Sequence, residues 1–238
     1  MARRYVAELV GTFGIVFAPV AWAGASHLHG ADASLMAAAW VSGLAVLAMI
    51  YALGPISAAH FNPAVTLGFV VAGRFPWRFA PAYWLAQFGG ATLAAGLSAA
   101  LFGPGFGVHI PHIDAIRAVG MEVVLTFFLM LVIIAVATDK RVSNAVPGIA
   151  IGLTVVFDIL IGGPVTGGSM NPARSMGPAL FAGGSALAHY WVYLLGPSLG
   201  AVIAARLYEA IRGGDEHAQG APNELYAALS HIGNEAAG

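Results

Sequence analysis

Six apolar stretches, near 5–24, 34–54, 82–102, 117–137, 145–162 and 186–210, each approach the roughly 20 residues that cross a bilayer core. They restrict the chain to a helical membrane bundle, because backbone in lipid must satisfy its hydrogen bonds internally. Charged residues make up only 9% of the chain and apolar ones 59%. Soluble domains carry about 25% charged residues, so a polar globular surface is out of reach. The 31 glycines suit helices that approach closely in lipid. With no cysteine there is no disulfide framework, thiolate metal site or cysteine nucleophile. A net charge of −1 points away from nucleic acid as a partner.

Two further apolar pieces, 62–72 and 171–182, are too short to span, and each follows the same tripeptide. Asn62-Pro63-Ala64 lies in AAHFNPAVTLG and Asn171-Pro172-Ala173 in GGSMNPARSMG. Asn is a strong helix N-cap, and Pro suits the first helical position because it has no N–H to leave unsatisfied. Each motif therefore starts a half-helix. The surrounding sequence repeats as well: AELVGTF pairs with MEVVLTF, which sets Glu8 against Glu122, at an offset of about 110 residues. Three spans per half turn the second copy upside down, and inverted repeats of this kind place their working site at the midplane. The chain reads as an all-α membrane protein of six transmembrane helices plus two half-helices. Residues 1–212 form one channel-like domain (repeats about 5–102 and 117–210), followed by a tail, 213–238.

Arg3 and Arg4, Arg74 and Arg78, Lys140 and Arg141, and Arg206 and Arg212 all fall on one side of six spans. The positive-inside rule makes that side cytoplasmic, with both termini. The N-terminal stretch has some look of a signal peptide. Glu8 interrupts its apolar run, however, and its removal would leave an unmatched half. We expect a multi-pass protein of the cell inner membrane.

The pair HFNPAVT and SMNPARS, within apolar sequence from about residue 5 to 212, resembles the major intrinsic protein family, the aquaporins and aquaglyceroporins. The resemblance implies a right-handed six-helix bundle, assembly as homotetramers with one pore per subunit, and passage of water and small neutral solutes. It implies no cofactor and no catalytic or metal site. Helix N-termini carry about half a positive charge and free N–H donors. Two of them facing each other at mid-membrane oppose cations. Asn62 and Asn171 can each cap a helix through the side-chain carbonyl and donate an amide N–H to a passing oxygen. A water held by both breaks a proton-conducting chain.

By the same resemblance the outer constriction falls on Arg174, Ser42, Ile159 and Gly168. An arginine at this depth lines a wet cavity or has a partner. Water-only members typically carry Phe and His at the positions of Ser42 and Ile159, and glycerol channels keep two aromatics. Ser, Ile and Gly leave a wider opening, with polar donors from Arg174 and Ser42. The set looks most like the nodulin-type intrinsic proteins that pass boric, silicic or arsenous acid and urea, and GPVTGGSMNPARSMGPAL fits that subgroup. Ser175 and Pro55 depart from family patterns, the first where glycerol facilitators have Asp and the second where His is usual. A water-selective channel is the alternative if Trp40 or Phe157 swings in to narrow the filter.

The non-helical stretches Ser57–Phe61 and Thr166–Met170 must present backbone carbonyls to the pathway. Ala58, Ala59, His60, Gly167 and Ser169 are therefore expected to line it. Glu8 and Glu122 are expected to hold these loops through backbone N–H groups, as in the family. Asp158 should turn away from the pore onto a hydrogen-bonded partner. Segment 223–232 has apolar residues at near-helical spacing, consistent with a short docked helix. His27, His29, His109 and His112 read as solvated residues of outer loops. A coupled secondary transporter shares the broken-helix design, but it needs a titratable or cation-binding residue at the site, where only Arg174 stands. No nucleophile–base constellation suggests an enzyme.

Overall fold

The computed structural model describes residues 1–30, 34–139, 142 and 146–212. Among these every regular element is helical: α1 (Ala2–Leu28), α2 (Leu35–Ser57), α3 (Pro63–Val71), α4 (Ala80–Phe102), α5 (Ala115–Thr138), α6 (Pro147–Thr166), α7 (Pro172–Ala182), α8 (Gly184–Ala188) and α9 (Tyr190–Ile211). Six helical stretches are long and apolar enough to cross a membrane. The short helices α3 and α7 are the two half-helices. The segment 223–232 lies outside the described residues.

Local chemistry sets the helix ends. Ser34 and Asp114 cap α2 and α5 by accepting from Ala37 N–H and Arg117 N–H. Two ends differ from expectation in the same way. Helix α2 runs through Gly54-Pro55 to Ser57, and α6 through Gly163-Pro164 to Thr166, rather than stopping at 54 and 162. Proline removes one backbone bond, but ending the helix in apolar surroundings would strand several more. The last turn therefore continues in both repeats.

Small residues let the helices approach. A Cβ added to Gly43 on α2 would sit 2.5 Å from the Gly152 carbonyl on α6, and one added to Gly152 would sit 2.8 Å from the Gly43 carbonyl. A Cβ on Gly90 of α4 would strike Leu9 and Phe13 backbone in α1, and one on Gly200 of α9 would strike Val123 and Phe127 backbone in α5. These are the same contact in the two repeats. Leu93, Leu97 and Leu101 on α4, and Leu195, Leu199 and Ile203 on α9, stand exposed at four-residue spacing on one face each, apolar surface suited to lipid. Inside, each half-helix packs into the other repeat. Val65 and Phe69 of α3 join Leu129 of α5 and Ala201 of α9, while Ala173 of α7 joins Ile15 of α1 and Ala91 of α4.

The links into the half-helices are irregular and buried, and two glutamates organise them. Glu8 Oε1 accepts from Ser57 Oγ (2.7 Å) and His60 N–H (2.9 Å). Its Oε2 accepts from Phe61 N–H (2.7 Å) and Gln87 Nε2 (2.8 Å). Glu122 Oε1 accepts from Thr166 Oγ1 (2.7 Å) and Ser169 N–H (3.0 Å), and Oε2 from Met170 N–H (2.8 Å). Tyr83 and Tyr193 add matching bonds, donating to the Ser57 and Thr166 carbonyls at 2.8 and 2.7 Å. The backbone enters the left-handed region at Ala58, Ala59 and Phe61 in one link and at Gly167, Gly168 and Met170 in the other. Each non-glycine residue there costs about 1–2 kcal/mol, which the bonds to Glu8 and Glu122 offset.

Two stability predictions follow from this packing and bonding. Gly200→Ala forces helices α5 and α9 apart and lowers stability by about 1–3 kcal/mol, whereas Gly120→Ala, where an added Cβ meets nothing within 4 Å, is neutral or slightly stabilising. Thermal unfolding of the detergent-solubilised protein separates the pair; equal midpoints would refute the packing claim. Glu8→Gln keeps the shape but turns an amide N–H₂ toward two of the four donors. Each stranded donor costs about 1–3 kcal/mol, so a wild-type unfolding midpoint in this variant would show that Glu8 does not hold the link.

Candidate functional site

Asn62 and Asn171 each cap a half-helix and reach across to the other repeat. The Asn62 side-chain carbonyl accepts from Ala64 N–H (2.9 Å), and that of Asn171 from Ala173 N–H (3.0 Å) and Arg174 N–H (3.3 Å). Asn62 Nδ2 donates to the Met170 carbonyl (2.8 Å), and Asn171 Nδ2 to the Phe61 carbonyl (2.9 Å). The two N-termini are thus joined directly. An amide nitrogen carries two hydrogens; one is used in this crossing, so each Asn keeps one donor for a guest. Pro63 and Pro172 occupy the first helical positions, and Ala64 and Ala173 are fully buried behind them.

A cavity of about 830 Å³ runs past both asparagines. Ser42, Ile159 and Arg174 line one end, and Tyr51, Asp139 and Pro147 line the other. Ala58, Ala59, His60 and Ser169 also line it. Gly167 is not among the lining residues: an added Cβ would meet the His109 ring, so it backs the wall. Gly168 is likewise not a lining residue, and its carbonyl instead accepts from Arg174 Nη1 (3.3 Å). Trp40 and Phe157 are exposed at 44% and 40% and do not line the cavity. The lining aromatic rings, Tyr51, His60, Phe61 and Phe69, come from around Asn62 and from the side toward Asp139.

Further sequence expectations need correction. Ser42 was expected as a donor, but its hydroxyl donates to the Ala38 carbonyl (2.8 Å), the usual back-bonding of a serine inside a helix. It therefore offers the cavity an acceptor. Asp158 is fully buried, yet neither carboxyl oxygen has a hydrogen-bond partner among the described residues. The repeats also differ at their glutamates: where α4 supplies Gln87 to Glu8, the position one turn after Tyr193 on α9 is Pro197, which has no amide to offer Glu122. His27 sits in the last turn of α1, with its ring 5.4 Å from Phe106, rather than in a loop.

His109 is the largest departure. It belongs to the α4–α5 loop but is only 5% exposed. Its Nε2 touches Arg174 Nη1, its Nδ1 lies 3.0 Å from Ser175 Oγ, and its ring lies 5.5 Å from Tyr193. Burial, and then the Arg174 charge, hold the imidazole well below its ordinary value near 6.5. No local pattern marks it. The one sequence cue is Ser175 beside Arg174, whose small hydroxyl leaves room for a ring.

His60 is set differently. Thr66 Oγ1 donates its single proton to the Asn62 carbonyl (3.1 Å) and accepts from Gln87 Nε2 (3.0 Å). His60 Nδ1, 3.1 Å away, must therefore carry the proton and donate to Thr66. Its ring stacks 4.7 Å from Phe69.

Joined N-termini, asparagine donors and a lined cavity suit the passage of small polar molecules, and comparison with known proteins agrees. Residues 1–208 match the sequence profile of the family described as Major intrinsic protein. Aquaporin NIP1-1 of Zea mays is 45% identical over 213 residues, spanning 88% of this chain and 75% of that relative. Aquaporin NIP1-4 of Oryza sativa subsp. japonica is 47% identical over 217 residues, spanning 88% and 77%. Among solved structures, the aquaglyceroporin from Plasmodium falciparum superposes with a TM-score of 0.81 over 89% of this chain and 96% of that one. At 24% identity this likeness concerns the fold. The chain belongs to the major intrinsic protein family, within its NIP subgroup, and is a membrane channel for water and small solutes.

Proposed function

We propose that this channel has a widened filter at the Arg174 end that admits urea, glycerol or metalloid hydroxides such as boric, arsenous or silicic acid together with water. The observation that carries the reading is the lining that shares the Arg174 end of the cavity. Ser42 and Ile159 stand there without an aromatic ring, and Trp40 and Phe157 face outward. A neutral polyol or hydroxide would accept from Arg174, donate to the Ser42 oxygen and rest its other face on Ile159. At the middle of the cavity, Asn62 and Asn171 each present one remaining amide hydrogen beside a positive helix end. That arrangement supports exclusion of cations and interruption of proton transfer.

The same reading has both termini in the cytoplasm, the cell inner membrane as location and a homotetrameric assembly. Arg74 and Arg212 both pair with Glu209, at 3.0 Å each, which gathers two of the four basic groups at one end of the bundle and supports this orientation. The Asp139 mouth, where Tyr208 donates to Asp139 (3.0 Å), is then cytoplasmic.

Proteoliposome light scattering tests the filter. The unmodified protein should pass water and at least one of urea, glycerol or boric acid. The pair Ser42→Phe and Ile159→His should cut the larger solute about tenfold, a barrier rise of about 1.4 kcal/mol, and retain water flux. A protein that passes water and excludes every larger neutral solute sinks the wide-filter reading. An imposed proton or sodium gradient should drive no uphill accumulation of solute, and such accumulation would instead indicate a coupled transporter.

A further inference from the structure

Arginine has five N–H donors and no acceptor. Its contact with His109 therefore fixes the direction of a whole hydrogen-bond chain. Arg174 Nη1 donates, so His109 Nε2 must be the bare, accepting nitrogen. The single ring proton then lies on Nδ1 and is donated to Ser175 Oγ. Ser175 donates onward to Ser169 Oγ, and Ser169 donates to the Asn171 carbonyl (3.0 Å). Every member of this chain is buried or half-buried, and it ends on one of the two central asparagines. Arg174 Nη1 has its second hydrogen on the Gly168 carbonyl. Both hydrogens of that nitrogen are thus directed into the wall, and the rest of the guanidinium is left for the cavity.

From this geometry we infer that His109 is a positioning residue for the filter: as an acceptor it draws the Arg174 guanidinium against the wall and keeps the opening wide. The inference rests on reading the Arg174 end as the filter. A doubly protonated His109 has no lone pair for Arg174 and places a like charge against it. Arg174 then loses one of its two wall bonds and moves into the lumen.

Among the described residues, the groups facing His109 are few. Arg174 and Ser175 come from α7, and Tyr193 comes from α9 with its hydroxyl already donated to the Thr166 carbonyl. Gly167 of the α6–α7 link packs on the ring with no side chain. None of these is an acid that would stabilise an imidazolium. The sign follows: with its pKa lowered by burial and by Arg174, folded His109 stays neutral through neutral pH, where an unfolded histidine is already beginning to protonate. The arrangement is lost only as the pH falls through that lowered value.

Water and urea permeability of proteoliposomes should be measured from about pH 7.5 to about pH 4 for the unmodified protein, His109→Gln and His109→Leu. Glutamine offers an oxygen near the place of Nε2 and does not titrate in this range; leucine fills the space and accepts nothing. The unmodified protein should hold both fluxes through neutral pH and lose them in acid, urea by about tenfold and water by less. His109→Gln should match it at neutral pH and stay flat in acid. His109→Leu should be low in urea flux at every pH. An acid loss of the same size in His109→Gln overturns the inference, as does a flat profile in the unmodified protein. If His109→Leu does not fold, the glutamine profile alone decides. Should urea never enter the unmodified protein, the wide-filter reading fails, while the water profile still tests His109.

Discussion

Backbone that leaves a helix at membrane depth must find hydrogen-bond partners inside the protein, and the rest of this structure depends on how that requirement is met. Glu8 and Glu122 meet it. Each places a carboxylate where the chain between a full span and a half-helix would otherwise strand its N–H groups. With those donors held, the chain can turn through left-handed residues and start a new helix in mid-membrane. Without them α3 and α7 would have no fixed origin, Asn62 and Asn171 no fixed position, and the cavity no fixed wall.

The asparagines illustrate how one side chain serves two ends. Its carbonyl oxygen caps its own half-helix, while its amide bridges to the opposite repeat. The bridge holds the two N-termini together although both carry partial positive charge. It also leaves each amide with a single free hydrogen, so a molecule between them meets two donors and no acceptor from these groups. Local capping, assembly of the repeats and polarity of the pathway thus rest on the same four atoms.

The repeats agree where they build and differ where they select. Tyr83 and Tyr193, Gly90 and Gly200, and the paired Gly-Pro steps occupy matching places for matching reasons. The second half alone carries Arg174, Ser175 and Asp158, and it has glycines where the first has Ala58 and Ala59. Gly168 shows what that freedom permits: its carbonyl turns to Arg174 in a backbone form that costs glycine nothing. Ala58 and Ala59 adopt the same form against their preference, held by the bonds to Glu8 that frame their link.

Much of this was legible in the order of residues. Apolar runs, Asn-Pro starts and the Glu8–Glu122 pairing are local or periodic signals, each tied to a constraint that acts within a few residues or along one helix. They determined six spans, two half-helices and inverted symmetry. What only the tertiary structure decided concerns the partner each of these side chains takes. The hydroxyl of Ser42 faces back to its own helix, the carboxyl of Asp158 finds no partner among the described residues, and the loop residue His109 packs inward to meet Arg174. No spacing rule reports the last of these, because His109 and Arg174 lie 65 residues apart and meet only where a loop comes to rest on α7. The sequence by itself determined that a pathway exists; the packing of a loop against α7 decided how its arginine is held.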